Sequence, residues 1–231
     1  MINRIKKYPL SQLLRPESDV VFQIYEFQRR YNWGPLQWDG FFKNLTRAKG
    51  GHYLGTIVCR TKSVDSFGNK KYDVVDGLQR LVTLCIILST LYSMLRENKE
   101  FMDDEQLAEF NRIRLILKKT VSIIPQKPNR HLGAYNSLLV ELGIFESDEE
   151  TYYKKESRVF RAFSYFRERI EELVDFSEEP AITTILRIFE QINLAVVNIF
   201  EVSKPKDSDD YSLDRSEFPL LQANMNNGNE Y

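Results

Sequence analysis

Tyr72-Asp73-Val74-Val75-Asp76-Gly77-Leu78-Gln79-Arg80-Leu81-Val82-Thr83-Leu84 is the stretch on which the fold turns. Its apolar run ends at Val75, an Asp-Gly pair breaks it, and from Leu81 the composition is strongly helical. A strand that passes directly into a helix leaves the first helical N–H groups without intrahelical acceptors. With the positive end of the helix dipole, those groups form a ready anion site. Arg80, within the first turn, adds a fork of donors suited to phosphate. Asp76 stands at the mouth, where a carboxylate can hold a metal ion or orient a water. A purely structural reading covers the same residues. Asp76 is a natural N-cap, and Gln79 three positions later completes an Asp-x-x-Gln capping box. Gly77 then serves only the turn, and Arg80 is a solvated first-turn residue.

Working outward, Tyr53-Leu54-Gly55-Thr56-Ile57-Val58-Cys59 reads as a strand, and residues 66–70 have turn composition. With residues 72–75 as the return strand, the pair predicts a hairpin. The helix after Gly77 extends to about Glu97 and is apolar on nearly every face, which places it at the centre of the fold. Residues 81–95 are too short for a membrane span and are interrupted by Thr83, Ser89, Thr90 and Ser93. Upstream, residues 10–14 form a short helix and residues 20–24 a strand. Gly34-Pro35 starts a helix on which Trp38, Phe41, Phe42 and Leu45 share a face.

Beyond residue 98 the character changes to mainly helical. Helices are expected near residues 103–118, 130–142, 152–174 and 180–191, followed by a buried strand over residues 194–202 and a polar loop over residues 204–217. The expected organisation is α+β: a small mixed sheet with helices over residues 1–98, then a mainly α-helical region over residues 99–231.

The 231 residues suffice for a substantial core, and 42% hydrophobic with 28% charged residues is the balance of a folded globular protein. A net charge of −1 supplies no global attraction to nucleic acid, so any DNA contact needs a local patch. Cys59 and Cys85 read as buried free thiols, and the two isolated histidines, His52 and His131, offer little to a zinc site or a Ser-His-Asp triad. The first seven residues have no apolar core of a signal peptide, so a cytoplasmic protein without membrane contact is expected.

Three stretches together now carry a resemblance. Phe22-Gln23-Ile24-Tyr25-Glu26-Phe27-Gln28-Arg29-Arg30-Tyr31-Asn32-Trp33 resembles an "Ile-Pro-x-Tyr-Gln-Arg-x-Tyr-x-Trp" motif. Residues 53–58, followed by Val75-Asp76-Gly77-Leu78-Gln79-Arg80-Leu81-Val82-Thr83-Leu84, resemble "Leu-Gly-x-Ile-Val" and "Asp-Gly-Gln-Gln-Arg-Leu-x-Thr-Leu". In order and spacing these are similar to the N-terminal domain of GmrSD-type modification-dependent restriction enzymes, shared with the phosphorothioation sensor SspE.

The resemblance implies a ParB-like (sulfiredoxin-like) fold that binds and hydrolyses a nucleoside triphosphate with a divalent cation, magnesium or calcium. It further implies coupling to modified DNA and control of a nuclease domain or subunit. By the same carry-over, Asp76, Gln79 and Arg80 are the catalytic candidates. Gln28, Arg29, Tyr31, Gly77, Arg80 and Thr83 are the nucleotide-binding candidates, and Asp76 is the metal ligand.

Three departures accompany it. Leu78 stands where the family has its first glutamine, Tyr25 replaces a proline, and the chain has neither the length nor the histidines for a His-Asn-His nuclease. No nuclease active site is therefore expected within it. Met225-Asn226-Asn227-Gly228 is similar to a family stretch that lies inside the domain, so a helical region cut short at its C-terminal end is expected. The rival reading is a DNA- or protein-binding module that keeps the fold but has lost turnover.

Other constellations have plain explanations beside functional ones. Tyr31, Trp33 and Trp38 are either core aromatics or stacking platforms for bases beside Arg29 and Arg30. Arg167, Glu168, Arg169, Glu171 and Glu172 fit a salt-bridged helix surface.

Overall fold

The computed structural model describes residues 4–15, 20–24, 30–47, 52–64, 66, 70–120, 133–144, 146 and 156–202. Among them run β1 (Arg4–Pro9), α1 (Leu10–Leu13), β2 (Val20–Ile24), α2 (Pro35–Arg47), β3 (Tyr53–Val64), β4 (Lys70–Asp76) and α3 (Leu78–Glu97). There follow α4 (Asp104–Thr120), α5 (Gly133–Glu141), α6 (Arg158–Asp175), α7 (Ala181–Leu194) and β5 (Val196–Val202). The fold is α+β, as expected.

The strands form one mixed sheet in the order β1-β5-β3-β4-β2. β3 and β4 are the expected antiparallel hairpin, although β3 continues five residues beyond Cys59, with register shifts against β4. β2 lies parallel to β4, and β5 parallel to β3. The sheet thus takes β5 from the far side of the expected boundary at residue 98 and sets it between β1 and β3. β1 has no counterpart in the sequence reading. It is an edge strand in which Lys6 and Lys7 are exposed, and edge strands carry charge rather than an alternating apolar pattern.

One face of the sheet presents Phe22, Ile24, Ile57, Cys59, Tyr72, Val74, Val197 and Ile199 to a single apolar cluster shared with the helices. α3 lies at its heart, packed against α4, α6 and α7. Every residue from 81 to 95 is buried, including Thr83, Ser89 and Thr90. The hydroxyls of Ser89 and Thr90 return a hydrogen bond to the carbonyls of Cys85 and Ile86, which is how a polar residue survives on a wholly buried helix. α3 has the length and composition of a membrane span, but 89% of that window is buried inside this protein. Both cysteines are buried free thiols, and burial pushes the Cys59 thiol pKa up.

The salt-bridged face of α6 is as expected, with Arg167–Glu171 and Arg169–Glu172 pairs. Arg167 also reaches α3 and grips Glu97 with both terminal nitrogens at 2.7 and 2.6 Å. That fork holds the Glu97 carboxyl below the usual carboxylate range.

The capping box appears, but one helix later than expected. At α4, Asp103 Oδ1 accepts from the Gln106 N–H at 2.8 Å while Gln106 Oε1 accepts from the Asp103 N–H at 3.2 Å. At α3 the N-cap is Gly77, with φ +102° and no side-chain capping bond. Asp76 stays in the β4 ladder opposite Val58, so the Asp76 capping box is corrected: strand pairing holds Asp76 outside the helix. Asp103→Ala is expected to cost about 0.5–2 kcal/mol in a guanidinium titration, whereas Asp76→Ala loses no capping contribution.

Candidate functional site

The chain reaches α3 from β4 with no intervening loop, and Gly77 makes this possible. A Cβ there would lie 3.1 Å from Ile57 Cγ1 and 3.2 Å from the Ile57 Cα, in a backbone region that L side chains rarely adopt. The first turn of α3 therefore sits hard against β3. Asp76 is exposed at the mouth, while Leu78 turns inward and is buried. The leucine at the family's glutamine position serves the core.

Arg80 lies across β3. Its Nη1 donates to the Thr56 carbonyl at 2.9 Å, and its side chain covers Gly55. Gly55 has φ +98°, and a Cβ there would meet Arg80 Nε at 3.0 Å and Cζ at 3.2 Å. Among the described residues the rest of the guanidinium fork remains for other partners. Gln79 turns to the residues before α2: its Nε2 donates to the Arg30 carbonyl at 3.0 Å, and its Oε1 accepts from the Asn32 N–H at 2.9 Å. One amide thus pins the backbone on either side of Tyr31.

Tyr31 itself points into the core. Trp38 Nε1 donates to its hydroxyl at 2.8 Å, and the Tyr31 hydroxyl and Thr83 Oγ1 are 2.8 Å apart. Thr83 Oγ1 donates to the Gln79 carbonyl at 2.8 Å, so its proton is spent there and Tyr31 is the donor to Thr83. The relay runs in one direction: Trp38 to Tyr31 to Thr83 to the α3 backbone. Burial pushes the Tyr31 phenol up to about 12.

The three motif stretches are therefore hydrogen-bonded into one unit around the first turn of α3. Asp76, Gln79 and Arg80 are together at its surface and mouth, with Gly77 buried against β3 between them. Tyr31 and Thr83 lie beneath, with hydroxyls engaged to each other, and position the turn. Gln28 and Arg29 lie outside the described residues. The aromatic ambiguity resolves toward the core for Tyr31 and Trp38, both buried, the latter packed on Tyr165 and Phe166; Trp33 is partly buried against Phe41.

A family described as GmrSD restriction endonuclease, N-terminal domain, matches residues 10–210. The chain belongs to that family. No curated protein matches it. As a GmrSD N-terminal domain it is a domain of a restriction system, and the match extends through β5, the last described strand.

Two contributors escaped the sequence reading. Gly55 had a signal, since it is the glycine of the "Leu-Gly-x-Ile-Val" stretch. Arg158 had none: from the start of α6 its Nη1 donates to the Asn32 carbonyl at 2.9 Å and lies 3.4 Å from that of Trp33.

Gly55→Ala is expected to destabilise the domain by about 1–3 kcal/mol, read from the denaturation midpoint, because it combines backbone strain with displacement of Arg80. Tyr31→Phe is expected to cost about 1–3 kcal/mol by leaving the buried Trp38 N–H without its acceptor. The wild type should also lose stability as pH rises from 10 to 12, since the unfolded tyrosine ionises in that window and the buried one does not. Tyr31→Phe should remove that part of the slope.

Proposed function

We propose that this domain binds a nucleoside triphosphate and a divalent cation at the first turn of α3, and hydrolyses it to regulate a modification-dependent restriction system. The observation that carries the reading is the convergence of the three motif stretches on one helix start, with Arg80 and Asp76 at its mouth. The turn has no side-chain cap, so its N–H groups are suited to phosphate oxygens. Arg80 supplies positive charge from a position fixed by Thr56 and Gly55, and Arg29 is a second cation by resemblance.

No group of three or more potential metal ligands occurs among the described residues. A lone exposed Asp76 fits a cation that arrives with the nucleotide, since magnesium is commonly held by one or two carboxylates plus phosphate oxygens. In this scheme Gln79, Tyr31 and Thr83 position the turn, and Asp76 and Arg80 face the nucleotide. Modified DNA and a nuclease domain or subunit are the partners to which the nucleotide state is passed.

A specific observation favours a second reading, binding without turnover. Leu78 is buried where the family motif has glutamine, and the Gln79 amide is engaged to residues 30 and 32. Neither leaves an amide committed to orienting a water.

ATP, GTP, CTP and UTP, each with magnesium, should be tested for binding and for phosphate release. Binding of none of them overturns the proposal. Asp76→Asn and Arg80→Ala are expected to weaken binding about ten- to a hundredfold, the equivalent of one charge-assisted contact of roughly 1.5–3 kcal/mol. Melting of Asp76→Asn should stay near wild type. Leu78→Gln separates the two readings. It should lower the melting temperature by burying an amide, and phosphate release that nevertheless rises identifies the leucine as the cause of weak turnover.

A further inference from the structure

We infer that Arg158 is a positioning residue of the α3 site, and that the bridge from Gln79 through residues 30–33 to Arg158 transmits the state of that site to α6. The inference rests on the nucleotide reading for what changes the site, but the bridge itself is a property of the fold.

Residues 30–33 are anchored by two helices. Gln79 holds the Arg30 carbonyl and the Asn32 N–H from α3, while Arg158 holds the Asn32 and Trp33 carbonyls from α6. Asn32 is therefore gripped at its N–H by one helix and at its carbonyl by the other. The peptide between cannot move toward α3 without drawing on Arg158. α2, which follows at once, is laid on α6 as well: Trp38 packs on Tyr165 and Phe166, and Tyr165 Oη donates to Asp39 Oδ1 at 3.2 Å.

Midway along its length α6 is fixed to the last turn of α3 through the Arg167–Glu97 fork. α6 thus has a firm charged attachment at the distal end of α3 and a hydrogen-bonded one at the proximal end. A ligand on the N–H groups of the first turn shifts Gln79, which shares that turn, and the shift has a direct path to Arg158. A purely packing role for Arg158 would give no such directional link, whereas its hydrogen bonds are to two successive backbone carbonyls.

Amide hydrogen exchange of the full chain tests this in two arms. Without nucleotide, Gln79→Ala and Arg158→Ala should each speed exchange in the second turn of α6, residues 161–164, by about fivefold. The double variant should exchange no faster than the faster single variant, the signature of two residues acting through one connection. Arg158→Lys, which keeps a donor but not the fork, should recover part of the protection.

With each of the four ribonucleoside triphosphates and magnesium, the wild type should show slower exchange at both residues 81–84 and residues 161–164. Arg158→Ala should keep the first effect and lose the second. Additive effects in the double variant, or nucleotide protection of residues 161–164 that survives Arg158→Ala, overturns the inference. If no nucleotide changes exchange at residues 81–84 in the wild type, the proposed function fails, and the double-variant comparison alone decides the bridge.

Discussion

β4 and α3 are joined by a single residue, Gly77, whose left-handed backbone lies so close to the Ile57 backbone that a Cβ would crowd it, and the rest of the domain is arranged around the result. Because β4 runs straight into α3, the helix enters the core at once, and its apolar surface is covered by α4, α6 and α7. Because only Gly77 intervenes, the first turn stays beside β3, where Arg80 reaches Thr56 and Gln79 reaches the residues before α2. The buried helix and the surface site are consequences of one junction.

The site also shows how polar chemistry is kept rigid at the edge of an apolar core. Trp38, Tyr31 and Thr83 form a fully engaged chain beneath the first turn of α3, and each donor has one acceptor. Such a buried chain is costly if any member is missing, and it fixes side-chain orientation when complete. It ties α2 to α3 in a defined register. Arg80 above it is held by the Thr56 carbonyl and, among the described residues, by no opposite charge, so its ionic character is left for whatever the site meets.

Much of this was legible in the sequence, and the exceptions share a physical cause. The hairpin, the all-apolar α3 and the Trp38 face of α2 announce themselves through local pattern. β1 does not, because an edge strand of lysines has neither alternation nor an apolar run. The two Asp-x-x-Gln segments are the sharpest case: identical spacing gives a reciprocal cap at Asp103 and none at Asp76. What differs is tertiary, since Asp76 is paired in a strand and followed by a glycine that turns away. Gln79, freed from capping, is used across a separation of 47 residues, and Arg158 acts across 126. Long-range roles for hydrogen bonds to backbone carbonyls leave no trace in spacing, because the carbonyl is the same whatever the residue.

The position of β5 has a consequence for how the chain is made. The strand between β1 and β3 comes from residues 196–202, so as the polypeptide leaves the ribosome the N-terminal strand has no neighbour until almost the whole described length has been synthesised. Until then β1 has no partner in the sheet, and β3 presents an open edge, the kind of surface on which nascent chains pair with one another. Closure is a late, long-range event with the slow kinetics such contacts impose. The last described strand is what closes the sheet. A product that stops short of it has no continuous sheet to offer, whatever the state of its motifs.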